Sequence, residues 1–147
     1  MLSDYLYNLR EFHLFFNLFG YISFRAGLSL ISSFILIIIF MPYWIKFQKV
    51  FNPLGQPIRD DGPLSHLSKK GTPTLGGVLI ICSLTISTIL WTSSFSKFNY
   101  LLLLTIFLFG LIGFYDDLKK IKSRKGINSK TKFLLQICST IIIYFTI

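Results

Sequence analysis

The chain has 147 residues, 52% of them hydrophobic and only 14% charged, with a formal net charge of +9. Soluble domains carry about a quarter charged residues, and a soluble chain of this length could not bury so much apolar surface. The composition therefore excludes an ordinary soluble domain and points to an integral membrane protein. Nor does the charge mark a nucleic-acid binder: most basic residues gather in two segments between apolar runs, the pattern of the positive-inside rule.

Residues 2–19 set Leu2, Tyr5, Leu6, Leu9, Phe12, Phe16 and Phe19 at spacings of one to four, which predicts an amphipathic helix lying in the membrane interface. Asp4, Arg10, Glu11 and His13 within this stretch argue against a cleavable signal peptide. A first span is expected at about 21–44. Ser29, Ser32 and Ser33 share one of its faces and favour close helix contact in lipid, and Arg25 lies near its start, shallow enough to snorkel. Pro42 and the Tyr43-Trp44 pair mark its far interface. Residues 45–71 read as a polar loop rich in turn formers. Further spans are expected at 72–93 and 98–115, with a second basic loop at 116–132. Cys82 and Cys138 read as small buried apolar residues, with neither a disulfide frame nor a Cys/His metal site around them. The last apolar run, 133–147, reaches about 22 Å at 1.5 Å per residue, short of the roughly 30 Å of hydrocarbon, so the chain reads as cut off inside a fourth span.

Loop 45–71 holds Lys46, Lys49, Arg59, Lys69 and Lys70. Loop 116–132 holds Lys119, Lys120, Lys122, Arg124, Lys125, Lys130 and Lys132, and together the loops carry twelve of the fifteen basic residues. Both are expected on the cytoplasmic side, with the N-terminus outside.

Three motifs fall on that side. Asp116 and Asp117 in "GFYDDLKK" lie where an apolar run ends, expected at the unfavourable negative end of a helix dipole and repelling one another. Either the neighbouring lysines solvate them, or they hold a divalent cation together with a phosphate substrate. In "SKKGTPTLGG", Thr72-Pro73 has the form of a helix start. Lys69, Lys70, Thr74 and the Gly76-Gly77 pair could cradle an anion there, although a helix cap with tight packing explains the same residues. His66 in "RDDGPLSH" is either a solvated loop histidine or an acid and phosphate donor. Lysines, a helix N-terminus and carboxylates beside an apolar phase suit an enzyme that joins a phosphorylated soluble compound to a lipid carrier.

"FRAGLSL" (24–30), "IRDDGPLSHLSKKGTPTLGGVLI" (58–80) and "GLIGFYDDLKK" (110–120) closely resemble the phospho-N-acetylmuramoyl-pentapeptide-transferases, a branch of the polyprenyl-phosphate N-acetylhexosamine-1-phosphate transferases. The resemblance runs along essentially the whole chain, and sister branches keep the aspartate pair without the long second string. It implies an all-α ten-helix bundle in the bacterial inner membrane, of which this chain supplies about four helices. The implied reaction transfers phospho-N-acetylmuramoyl-pentapeptide from UDP to undecaprenyl phosphate, with Mg²⁺ as cofactor. By motif match Asp116, Asp117 and Lys70 are catalytic residues, Lys70 and Thr74 contact substrate phosphate, and Asp117 is a metal ligand. One aspartate is implied as base for the lipid phosphate or as direct nucleophile. Family members continue with further spans bearing another metal-associated aspartate and a histidine loop that this sequence lacks. The chain alone is therefore expected to be inactive, and its Ser/Gly faces to need a second copy or the missing half. A sister sugar-phosphate transferase and a non-catalytic membrane protein are the alternatives.

Overall fold

A computed structural model describes residues 2–51, 55, 75–93, 96–123 and 126–146. Among these there is no strand. The α-helices are α1 (Leu2–Asn8), α2 (Ile22–Phe51), α3 (Gly76–Trp91), α4 (Lys97–Ser123) and α5 (Ser129–Thr146), with 3₁₀ segments at Leu9–Glu11 and Leu14–Gly20. Helix is the form that closes backbone hydrogen bonds within one segment, as hydrocarbon requires.

Long-range contacts fix an up-and-down arrangement of α2 to α5. Trp44, late in α2, donates its indole N–H to the Leu75 carbonyl at the start of α3 (3.2 Å). Trp91, at the end of α3, donates to the hydroxyl of Ser32 near the start of α2 (3.0 Å). These two bonds run α2 and α3 antiparallel. At the α3–α4 contact the end of the Ile81 side chain sits over Gly110, where a Cβ would lie 2.6 Å from its Cδ1. Late α4 meets early α5 through Asp116, described below.

The buried residues are not those of a water-soluble core. Phe19 and Ile112 are the buried hydrophobic residues among those described, whereas Ser33, Ser83, Ser87 and Ser139 are all buried. Large apolar side chains such as Ile22, Leu30, Phe34, Phe98 and Phe145 face outward. Small residues between helices and apolar residues outside are the pattern of packing in lipid. α2 and α4 are long and apolar enough to cross a membrane. α3 is apolar but shorter, about 24 Å long at 1.5 Å per residue. The protein is an all-α membrane protein.

Several expected boundaries move. The N-terminal segment is a hook, not one amphipathic helix. His13 is extended (φ −157°, ψ 136°), and its Nδ1 accepts the Phe15 N–H, so the helix breaks at Phe12–His13. The chain doubles back until Gly20 meets the Tyr7 ring, where a Cβ would lie 2.8 Å from Cε2. This return stacks Phe19 on Trp91 at 6.1 Å and sets it edge-on to Phe24 at 5.4 Å.

α2 passes through Pro42 and continues to Phe51, so residues 45–51 are helix and not loop. Trp44, Phe47 and Phe51, spaced three and four apart, pack ring on ring along that extension. The Thr72-Pro73 helix start lies outside the described residues. The described part of α3 opens at Gly76 after Leu75, which is left-handed at φ 63°. Cys82 and Cys138 are exposed, not buried: each lies on the outward apolar side of its helix.

Candidate functional site

α4 does not end at the aspartates. It runs to Ser123, two turns beyond them, so Asp116 and Asp117 are helical residues and the segment 116–132 is mostly helix. The cause lies in the sequence. Asp116 and Lys120 are four apart, Asp117 and Lys120 three apart, and acid-before-base pairs at those spacings support a helix. The helix-dipole penalty falls off within the last turn, and that turn holds Lys120 and Lys122, whose charge suits it. The unfavourable helix end anticipated for the aspartates is thus absent.

The two carboxylates have different surroundings. Asp116 is buried at 7% exposure. Its Oδ1 accepts the backbone N–H of Ile127 at 2.8 Å, and its Oδ2 pairs with Lys120 Nζ at 2.8 Å and with Lys132 Nζ at 3.6 Å. Among the described residues Asp117 reaches only Lys120 Nζ, at 3.0 Å, and its side chain keeps 36% exposure. Lys120 therefore bridges both acids. Its hydrogen bond to Asp116, with the Ile127 N–H second, holds the Asp116 carboxyl down at about 2, against an ordinary 3.8. The same bonds, to Asp116 first and Asp117 second, raise Lys120 above its usual range.

Gly126 makes the close turn possible. A Cβ there would lie 2.6 Å from Asp116 Oδ1 and 3.1 Å from Lys120 Cε. Asp116, Lys120, Gly126, Ile127, Lys132 and Gln136 line part of an open cleft of about 400 Å³ between late α4 and early α5. Its lining is mixed: the acid and lysines, Ser129 and Gln136 are polar, and Ile127 and Phe133 are apolar.

Of the site residues read from the sequence, Asp116 and Asp117 stand together here, whereas Lys70, Thr74 and His66 lie outside the described residues. The basic loop holding Lys120 and Lys132 was expected to compensate the aspartates, and both lysines pair with Asp116; Gly126 and Ile127 were not anticipated as parts of the site. The D-D-x-x-K spacing carried the signal for Lys120. Lys132, one of several loop lysines, reaches Asp116 through the turn. No group of three or more His, Cys, Asp or Glu side chains forms among the described residues. Asp117, the more exposed of the two carboxylates, could lend an oxygen to Mg²⁺, with substrate phosphates and water completing the shell.

No family model matches the chain. Individual relatives do. A phospho-N-acetylmuramoyl-pentapeptide-transferase of Rickettsia prowazekii is 43% identical over 145 residues, covering 95% of this chain and 40% of the relative. The enzyme of the same name from Desulfotalea psychrophila is 40% identical over 147 residues, covering 99% of this chain and 41% of the relative. That from Syntrophus aciditrophicus is 39% identical, covering 97% and 40%. The chain spans about two fifths of the length of these relatives, and along nearly all of its own length it is similar to phospho-N-acetylmuramoyl-pentapeptide-transferases.

Proposed function

We propose that the chain carries the aspartate-bearing part of a membrane site that transfers phospho-N-acetylmuramoyl-pentapeptide from UDP to undecaprenyl phosphate. The products are the first lipid intermediate of peptidoglycan synthesis and UMP. The identity of 39–43% along nearly the whole chain carries this reading, and the charged cleft at the end of two apolar helices supports it. In the reaction an oxygen of the lipid phosphate attacks the sugar-bearing phosphorus of the nucleotide, and the bond to UMP breaks.

Asp117 is the carboxylate free to work. It is more exposed than Asp116 and has one lysine partner, so it can turn towards the lipid phosphate as base or lend an oxygen to Mg²⁺. The ion would neutralise the phosphates as the bond to UMP breaks. Asp116 is engaged with the Ile127 backbone and two lysines and holds the α4–α5 corner in place. Lys120, once exchanged from the acids, is placed to meet phosphate. By motif match Lys70 and Thr74 would hold the substrate phosphates. The basic segments face the cytoplasm of a bacterial inner membrane with the N-terminus outside, and a second copy or the remaining family helices cover the outward faces.

The test joins these 147 residues to the part of the Rickettsia prowazekii relative that follows the matched stretch. The chimera, supplied with Mg²⁺ and undecaprenyl phosphate, is expected to make the lipid product and UMP from UDP-N-acetylmuramoyl-pentapeptide, and its Asp117→Asn variant to lose at least a hundredfold in kcat. Preference for UDP-N-acetylglucosamine, or full activity of Asp117→Asn, would overturn the reading.

A further inference from the structure

At the opposite end of the helices from the aspartates lies a second cleft, of about 370 Å³, between the start of α2, the end of α3 and the start of α4. Arg25, Ser29, Thr88, Thr92, Ser96 and Asn99 line its polar part. Asn99 and Asp116 are seventeen residues apart on α4, about 26 Å at 1.5 Å per residue. That separation approaches the hydrocarbon thickness of about 30 Å, so the two polar clefts sit at the two faces of the membrane.

Arg25 is half-buried, and its guanidinium makes no hydrogen bond or ion pair among the described residues. Five N–H donors and a permanent charge thus stand in a hydroxyl-lined cleft without an acceptor among the described residues. The N-termini of α2 and α4 both open here, each adding partial positive charge, against the C-terminus of α3 alone. The cleft wall is firm: Trp91 is tied to Ser32 and stacked on Phe19. Beside it, Tyr21, Ile22 and Phe98 expose apolar surface outward. A cationic fork ringed by hydroxyls matches a phosphate, and the flanking apolar surface matches acyl chains.

We propose that this cleft binds the phosphate of an anionic phospholipid, with Arg25 as its principal contact. The proposal is independent of the transfer reaction and concerns the other membrane face. Snorkelling of Arg25 into the headgroup layer explains its position but predicts no discrete stoichiometry and no dependence on the hydroxyl cluster.

Native mass spectrometry of the 147-residue chain in maltoside, titrated with phosphatidylglycerol, tests it. One tightly retained lipid is expected, weakened tenfold or more by Arg25→Gln and about threefold by Ser29→Ala with Thr92→Val. Lys46→Gln, at the other end of α2, is expected to leave it unchanged. In the wild-type chain, phosphatidylglycerol is expected to slow phenylglyoxal modification of Arg25 while uncharged diacylglycerol does not, a measurement that needs no variant. Equal retention by Arg25→Gln, or equal protection by diacylglycerol, overturns the proposal. Protection by inorganic phosphate alone, without retained phosphatidylglycerol, assigns the cleft to a soluble phosphate compound and overturns the lipid assignment.

Discussion

Replacing Asp116 by alanine leaves the Ile127 N–H without its acceptor and Lys120 without its shorter ion pair. An unsatisfied backbone donor costs about 1–3 kcal/mol. The pair with Lys120, whose side chain keeps 35% exposure, contributes about 0–1 kcal/mol after solvent screening. The α4–α5 corner should therefore loosen by about 2 kcal/mol, a roughly thirtyfold change in a local opening equilibrium. Asp116→Asn keeps a carbonyl acceptor for Ile127 and loses only the charge, so about 1 kcal/mol, roughly fivefold, is expected. Amide hydrogen exchange at Ile127 and in the first turn of α5, measured in detergent micelles, reads this directly. Asp117→Ala, whose carboxylate touches only Lys120 among the described residues, is the comparison and should change exchange by less than about twofold. Equal acceleration by the Asp116→Ala and Asp117→Ala variants, or none from Asp116→Ala, would refute the unequal roles assigned to the two acids.

Two further outcomes follow from the same corner. Gly126→Ala sets a methyl group 2.6 Å from Asp116 Oδ1, and displacing that carboxylate should cost about 1–3 kcal/mol, seen as faster exchange at Ile127 with little change at the α2–α3 contact. Because the Asp116 carboxyl is lowered from 3.8 to about 2, its contribution is fully present above about pH 4 and lost as the pH falls through 2. Thermal unfolding of wild type in micelles should show that loss between pH 4 and 2. Asp116→Asn should not show it, and an identical acid limb in both would count against the ion pair.

Sequence alone determined the membrane class and the helical character, because apolar stretches of about span length, such as 21–44 and 98–115, cross hydrocarbon as helices. It also marked Asp116-Asp117 as unusual, because adjacent carboxylates beside an apolar run need compensation wherever they lie. It misjudged where helices stop. Apolar content reports where lipid ends, whereas a helix ends where its hydrogen bonding ends, and the Asp-Lys pairs of α4 and the aromatic ladder of late α2 carry both helices beyond the apolar stretch. The residue order did not show that the first helix breaks at His13, since the hook is held by Gly20 against Tyr7 and by Phe19 stacked on Trp91, far away in sequence. Tertiary structure alone separated the two acids: neighbours in sequence point about 100° apart on a helix, so one turns into the α4–α5 corner to meet Ile127 and Lys132 while the other faces outward. The same holds for Arg25, whose cleft exists only because the ends of three helices converge around it.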